Sequence, residues 1–573
     1  MSTEAPAPPA AADSAAAPPA RRRSLDPVFS PRSVAVVGAS RRRDSIGFAL
    51  LHNLVMSQFG GALYPVNPGA TSIHSLKCYP SLSAIPDPVD LAVIAVPREA
   101  VQAVVEEAVA RGVRGLVVIT AGFAEVGEEG ARRERLLRET VRRAGVRMIG
   151  PNCMGVINTE PEVSLNATFA PTPARAGSIG FVSQSGALGV AILNVADDLG
   201  IGLTQFVSMG NKADVSGNDL LEHWEDDPET RVVAMYLESF GNPRRFTEIA
   251  KRVGRKKPIL VVKSGRTTEG ARAASSHTGA IAGADVTVSA FLEQCGVLRV
   301  NTIEELFDVA RAFDRCPLPA GNRVAVVTNA GGPGIMATDA SVNLGLVMAE
   351  LGDDTRRRLA AGLPPEASVA NPVDMIASAT AEQYEESLSA VLDDPAVDMA
   401  LAINVTPLLT NPRDVLAAIS GVAARHDKPV LAVMMVTEDF YDQVKLEKHH
   451  PPVYRFPESA ARAMQMLARY AAWRSRPEPG PPPAFAVDDE AVAALLAEVD
   501  EGYLAPDAAF RVLEAYGVPV ARWRFVAGDG DGGGAGPEPE AVAAAAAEIG
   551  FPVVVKAEAP GLVHKSDVGA VAV

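Results

Sequence analysis

Apolar runs of strand length alternate with helix-length amphipathic segments through most of this chain, and that alternation limits the folds open to it. V-A-V-V (34–37), L-A-V-I-A-V (91–96) and L-V-V-I-T (116–120) show no alternating polar face. The segment Glu99–Arg111 between two of them has helical spacing. Strands apolar on both sides must be covered on both sides, and a parallel sheet flanked by helices does this. The pattern predicts an α/β unit over residues 25–150. A second unit opens at G-S-I-G-F-V-S-Q-S-G (177–186) and continues through V-V-A-M-Y-L (232–237) and P-I-L-V-V (258–262). A third opens at R-V-A-V-V-T-N-A-G-G (323–332), followed by M-A-L-A-I-N-V (399–405) and P-V-L-A-V-M-M-V (429–436).

The second and third units read as repeats. Gly186 aligns with Gly331 and Gly200 with Gly345. Each copy is a strand, a small-residue turn and a helix closed by glycine, which suits the position just past a helix end. Each later carries Lys-Pro ahead of an apolar strand, at 257 and 428. These features predict two flavodoxin-like domains, 151–318 and 319–473. R-S-R-P-E-P-G-P-P-P-A (474–484) begins a Pro-rich linker over 474–500. A-P-D-A-A-F-R-V-L-E-A-Y-G-V-P-V (505–520) predicts a helix leading into a strand, and F-P-V-V-V-K (551–556) a further strand. Residues 501–573 thus read as a strand-rich fold that is begun and not completed. The Ala/Pro-rich residues 1–24 read as a disordered arm.

Composition narrows the function classes. A chain of 573 residues allows several domains of roughly 100–200 residues each. A net charge of −16 argues against a nucleic-acid partner, which favours a basic face. Cys78, Cys153, Cys295 and Cys316 form no CxxC pair and no Cys/His metal spacing, so free thiols and a cytoplasmic location are expected. No apolar run reaches the roughly 18 residues of a membrane span, so no membrane partner is expected.

Four places carry candidate chemistry. V-A-V-V-G-A-S-R-R-R-D-S-I-G (34–47) is a glycine turn between a strand and a helix, where backbone N–H groups can meet a phosphate. It lacks G-x-G-x-x-G, and Y-P-V-N-P (64–68) stands where a ribose-gripping acid would close the next strand, which argues against a nicotinamide dinucleotide. The turns S-Q-S-G (183–186) and T-N-A-G-G-P-G (328–334) each put small residues at a helix N-terminus, where the dipole favours anions. The bland reading is that tight strand-to-helix turns simply need glycine. His277 lies in the small-residue loop R-A-A-S-S-H-T-G-A-I-A-G (272–283), as an imidazole that attacks phosphorus would. Such a residue needs an acidic partner to fix its tautomer, and Glu238 ends an apolar strand in M-Y-L-E-S-F. A solvated loop histidine is the plain alternative. Lys556, ending F-P-V-V-V-K before H-K-S-D-V-G (564–569), suits an α-phosphate or is a solvated strand-end lysine.

Taken together, these motifs resemble the nucleoside-diphosphate-forming acyl-CoA synthetases, relatives of succinyl-CoA synthetase. V-A-V-V-G-A-S, Y-P-V-N-P, M-I-G-P-N-C-M-G-V-I-N (148–158), G-F-V-S-Q-S-G-A-L, Y-L-E-S, S-H-T-G-A, T-N-A-G-G-P-G, N-P-V-D (371–374) and L-V-H-K-S-D-V-G stand in the family order. The resemblance runs from about Leu25 to Val573. It implies a Rossmann-like CoA-binding domain, two succinyl-CoA-synthetase-type flavodoxin-like domains and the start of an ATP-grasp domain.

The resemblance also implies roles. Gly38, Ala39 and Ser40 match the turn under the CoA phosphates. Asn67, Pro68, Val96, Pro97, Thr120, Ala121 and Gly122 match strand-end loops around CoA, and Asn152 and Cys153 a turn near its thiol end. Ala70 stands where succinyl-CoA synthetase has a lysine, so that contact is not carried over. His277 falls on the phosphorylated position and Glu238 on the stabilising glutamate. Ser185, Gly186, Gly331 and Gly332 would hold the moving phosphoryl group, and Lys556 the nucleotide. The implied reaction joins acetate or another short acid to CoA while ATP becomes ADP and phosphate, through phosphohistidine and acyl phosphate. ATP/ADP and Mg²⁺ are the implied further cofactors, with the metal ligands expected in the part of the ATP-grasp domain absent here. A homo-oligomer is implied, and a fragment that turns over poorly alone. A different reading is the synthetase-like sensor region of a protein lysine acetyltransferase.

Overall fold

The computed structural model describes residues 24–267, 269–270, 285–406, 411–445, 447, 449–477, 480, 485, 487–497, 504–528, 536–557 and 569–573. The chain divides after Arg476 into two units. The first unit contains three parallel-stranded sheets.

The first sheet holds β1 (Ser33–Val37), β2 (Ala62–Val66), β3 (Leu91–Ile94), β4 (Gly115–Val118) and β5 (Arg147–Ile149), in the order β2-β1-β3-β4-β5. All its pairings are parallel. Every residue of β1, β3 and β4 is buried, as apolar runs covered on both faces require. The chain leaves β1 toward β2 and crosses back to β3, so the strand order reverses beside β1. Ligands of open α/β sheets bind at such a switch point, outside the carboxyl ends of the strands.

The second sheet runs β12 (Leu298–Val300), β11 (Ile259–Lys263), β10 (Val232–Leu237), β8 (Arg175–Ser183), β9 (Gly202–Ser208), β6 (Gly155–Asn158), β7 (Leu165–Thr168). Its five-stranded part is parallel, while β6 and β7 form an antiparallel extension on β9 that the sequence pattern does not announce. The third sheet follows the order β14 (Val347–Met348), β13 (Arg323–Thr328), β16 (Met399–Val405), β17 (Val430–Met435), β18 (Val453–Tyr454), with β15 (Val373–Asp374) also on β13. The expected strands 232–237 and 399–405 form over those same residues. The helices after β8 and β13, Gly186–Asp198 and Gly331–Asn343, end ahead of Gly200 and Gly345, both left-handed at φ +64° and +82°.

The second and third sheets share one apolar core. Phe181, Phe206 and Phe307 stack within it, and Leu401 and Met464 close it from the other side. Helices Ile303–Arg315 and Pro457–Arg474 fill the space between. Buried phenols are satisfied around this core: Tyr454 of β18 donates to the Asp308 carbonyl and Tyr470 of the second helix to the Gly254 carbonyl, each at 2.8 Å.

The second unit contains helices Asp489–Ala497, Pro506–Ala515 and Pro539–Ile549 and a ribbon of β19 (Val555–Lys556) against β20 (Val571–Ala572). The helix expected within 505–520 forms, but the strand after it does not: residues 517–520 are irregular and Val518 is exposed. Of F-P-V-V-V-K only Val555 and Lys556 pair. A strand needs a partner edge, and among the described residues none lies beside 517–520. No helix among the described residues is long and apolar enough to cross a membrane.

One ionic contact fastens the first sheet to the loop after β9. Arg147, at the start of β5, reaches Asp214 at 3.0 Å and Asp219 at 3.2 Å, and its side chain is only 7% exposed. Burial alone would raise the Asp219 carboxyl, but the Ser216 hydroxyl and Arg147 outweigh it and hold it below the usual carboxylate range. Arg147→Met takes the cation from the buried Asp214 carboxylate, whereas Asp219 keeps Arg245 at 3.5 Å, so the substitution should lower the urea-denaturation stability of the first unit by about 3–5 kcal/mol. Because the folded Asp219 is held low, its contribution is present at neutral pH and is lost as pH falls below about 4. Urea midpoints across that range check both expectations.

Candidate functional site

The carboxyl ends of β1 to β5 carry the residues expected around CoA, and side chains stitch these turns together. Gly38 has φ +94°, and a Cβ there would stand 2.2 Å from the Ala95 carbonyl oxygen. Its N–H donates to the Val66 carbonyl at 3.0 Å, so it is not a free phosphate donor. The helix after this turn does not start until Ile46, capped by the Ser45 hydroxyl, and Gly47 packs directly on the Gly38 backbone. Between them, Ser40 accepts from the Arg42 N–H, and Arg41 donates to the carbonyl and hydroxyl of Ser72. Asn67 donates to the Ala39 carbonyl at 2.7 Å and accepts from Gly69 N–H, Thr120 donates to the Val96 carbonyl, and the Asn152 N–H donates to the Thr120 carbonyl. Pro68, Pro97 and Ala121 are exposed on this rim. Gly122, at φ +103°, gives its N–H to Glu125. Cys153 differs from its neighbours: its thiol is buried against the Val118 carbonyl at 3.2 Å, and burial pushes it up to about 12. It packs the turn rather than presenting sulfur to a ligand.

The two glycine turns after β8 and β13 are built alike. The Ser183 hydroxyl donates to the Ser185 carbonyl and accepts from the Ser185 N–H; Thr328 does the same with Ala330. Ser185 then caps helix Gly186–Asp198 by accepting from the Leu188 N–H, whereas Ala330 has no capping side chain. The residue between is an amide in both copies. Gln184 accepts the N–H groups of Glu238 at 2.7 Å and Ser239 at 3.0 Å and donates to the Ser239 carbonyl at 2.7 Å. Asn329 accepts from the Val405 N–H and donates to its carbonyl. In each copy, an amide beside the helix start clamps the end of a neighbouring strand. Gln184 and Asn329 were not singled out in the sequence, although the aligned repeat placed an amide at both positions.

The two turns differ electrostatically. Gly331 lies against the Asp374 carboxylate, 3.1 Å from where a Cβ would be, so a negative charge already stands at that helix start. Gly332 beside it is open and exposed. Beside the cap of the other helix, Gln184 shares a cavity lining with Lys212. Glu238, half-buried after β10, lies in the field of two lysines that the sequence reading passed over. Lys212 donates to the Ser239 hydroxyl at 2.6 Å. Burial brings its ammonium down to about 8, Glu238 opposing and Lys263 assisting. Lys263, closing β11, is lowered chiefly by burial and then by Arg299, again with Glu238 opposing. No local spacing marks these lysines; only the adjacency of β9, β10 and β11 assembles them.

His277 and the 564–568 part of the H-K-S-D-V-G motif lie outside the described residues. Lys556 is an exposed residue of the β19–β20 ribbon. Among the described residues no group of three or more His, Cys, Asp or Glu side chains could hold a metal ion.

Comparison with known proteins matches each region to a family model. A CoA binding domain matches residues 32–159, a succinyl-CoA ligase like flavodoxin domain 176–313, a Ligase-CoA domain 324–474 and an ATP-grasp domain 495–573. The acetate–CoA ligase [ADP-forming] II subunit alpha of Pyrococcus furiosus is 43% identical over 78% of this chain and 98% of its own length. The 4-hydroxybutyrate–CoA ligase [ADP-forming] of Nitrosopumilus maritimus is 37% identical over 96% of this chain and 77% of its own. Among solved structures, the dinucleotide forming acetyl-coenzyme A synthetase 1 of Ca. Korarchaeum cryptofilum, in complex with phosphate and ADP, superposes with a TM-score of 0.74 at 38% identity, covering 79% of this chain and 98% of that one. With all four domain models in order and such identity across the whole length, the chain belongs to the nucleoside-diphosphate-forming acyl-CoA synthetases, enzymes of the ligase class.

Proposed function

We propose that this protein joins a short carboxylic acid, acetate or a near relative, to CoA as ATP becomes ADP and phosphate, with His277 carrying the phosphoryl group. The observation that carries this reading is the Gln184 clamp, which fixes the Glu238–Ser239 backbone one residue from the cap of helix Gly186–Asp198. A carboxylate at Glu238 would suit orienting an imidazole, and the helix start a phosphoryl group. Glu238 then holds one nitrogen of His277 while the other attacks the γ-phosphorus of ATP, the bond to the bridging oxygen breaks and ADP leaves. The acid's carboxylate oxygen next attacks the phosphohistidine phosphorus, the P–N bond breaks and an acyl phosphate forms. The CoA sulfur attacks the acyl carbon, its thiol proton leaves, and phosphate departs with the bond electrons. The Gly186 N–H at the start of that helix would face the charge that develops on the phosphoryl oxygens, where fixed donors count most, with the Ser185 N–H already given to the Ser183 hydroxyl.

The rim formed by Gly38, Ala39, Ser40, Asn67, Pro68, Val96, Pro97, Thr120, Ala121, Gly122 and Asn152 would border CoA. A Cβ at Gly38 would strike the Ala95 carbonyl at the end of β3, so this glycine lets the first and third turns of that rim touch. Cys153 would serve that border by packing alone, Gly331 and Gly332 would meet phosphate only against the nearby Asp374 carboxylate, and Lys556 would reach the nucleotide. A soluble enzyme working as a homo-oligomer in the cytoplasm completes the reading. Magnesium would accompany the nucleotide and offset the charge of its phosphates.

Run from the thioester side, the chemistry needs only CoA thioester and phosphate. Incubation with ³²P-orthophosphate and acetyl-CoA should label the protein with acid-labile, base-stable phosphate. His277→Ala should abolish that label; equal label in both proteins overturns the assignment. Gln184→Ala should slow labelling roughly 10–100-fold, the effect of displacing a catalytic group by about 1 Å, while CoA affinity measured by calorimetry stays unchanged.

A further inference from the structure

Beside Glu238 is a cavity of about 120 Å³ between the loop after β9 and the turn after β10. Met235, Leu237, Phe240 and Phe246 form its apolar wall, and Lys212 and Asn218 stand among its polar lining. Gln184 also borders it, so it opens next to the cap of helix Gly186–Asp198. Lys212 is held there by an unusual backbone, left-handed at φ +59°. Its ammonium, short of the water that would otherwise solvate it, has the Ser239 hydroxyl as a neutral partner. Asn218 is 3% exposed, and its Oδ1 makes no hydrogen bond among the described residues. Buried polar atoms are almost always satisfied, so a water sharing the cavity is expected to donate to it.

We propose that this cavity is the acyl pocket: the carboxylate of a short acid pairs with Lys212 while its hydrocarbon end packs on Met235, Phe240 and Phe246. The inference rests on the synthetase reading above and adds where the acid sits and what limits its size. An inorganic anion would leave four apolar side chains facing a charge, whereas a short acid matches both walls. A dry cavity of about 150 Å³ holds benzene, so this smaller space takes an acid of a few carbons and excludes an aryl acid.

Line broadening of ¹³C-labelled acetate on the intact protein tests the pocket directly, with CoA binding as the control for folding. Lys212→Met should weaken acetate binding at least about tenfold and leave CoA binding unchanged, and Lys212→Arg should restore part of it. In the wild type, acetate affinity should fall as pH rises through about 8, where Lys212 loses its proton. The charged groups facing Lys212 are Glu238, from the turn after β10, and Lys263, from β11, and Lys212→Arg should remove that pH dependence. Phe240→Ala should shift preference toward a longer acid by roughly tenfold, the lower end of what one methylene is worth in a fitted pocket. Acetate binding by Lys212→Met equal to the wild type, no binding by the wild type, or displacement by equimolar phosphate overturns the pocket. Thioester formation that survives alongside unaltered Lys212→Met binding sinks this inference alone. A wild type that binds acetate through Lys212 yet gives no labelled histidine sinks the synthetase reading instead.

Discussion

Strands apolar on both faces force helices onto both sides of a sheet, and parallel connections then gather every strand-to-helix turn at the carboxyl edge. The rest of this molecule follows from that constraint. The first sheet lines up five turns that bond to one another laterally, from Asn67–Ala39 to Asn152–Thr120. The second brings the ends of β8, β9, β10 and β11 together, which is what places Gln184, Lys212, Glu238 and Lys263 in one neighbourhood. No two of these four residues are close in the chain, so their meeting depends on strand order rather than on any loop's own sequence.

The repeat shows how one structural device can be tuned to two electrostatic states. Ser183 and Thr328 brace their turns in the same way, and Gln184 and Asn329 clamp a neighbouring strand from the same position. What differs is the surroundings. Lys212 shares a cavity lining with Gln184 beside the first helix start, and the Asp374 carboxylate stands at the second.

Much of the fold was legible in the sequence because long apolar runs leave little choice. Strands 232–237 and 399–405 form over the residues their patterns mark, and Gly200 and Gly345 sit where a helix must end. The β6–β7 extension was not legible, since its short strands Gly155–Asn158 and Leu165–Thr168 carry no long apolar run. The strand expected near Val518 failed because a β-propensity without a partner edge has nothing to pair with. In the site, glycines and the glutamate at a strand end were readable from local pattern. The lysines were not, because a lysine becomes special only through burial and neighbours supplied by other strands. Cys153 taught the converse: a motif residue can face the core and shape the turn that others use.

The account turns on phosphoryl transfer through an acyl phosphate, and an oxygen-isotope experiment reads that directly. With acetyl-CoA and ¹⁸O-labelled orthophosphate, the phosphate oxygen that attacks the acyl carbon stays with the acid when the imidazole takes the phosphorus. The released acetate should therefore carry one ¹⁸O atom taken from phosphate. Acetate formed at the same rate without phosphate-derived ¹⁸O would contradict the account.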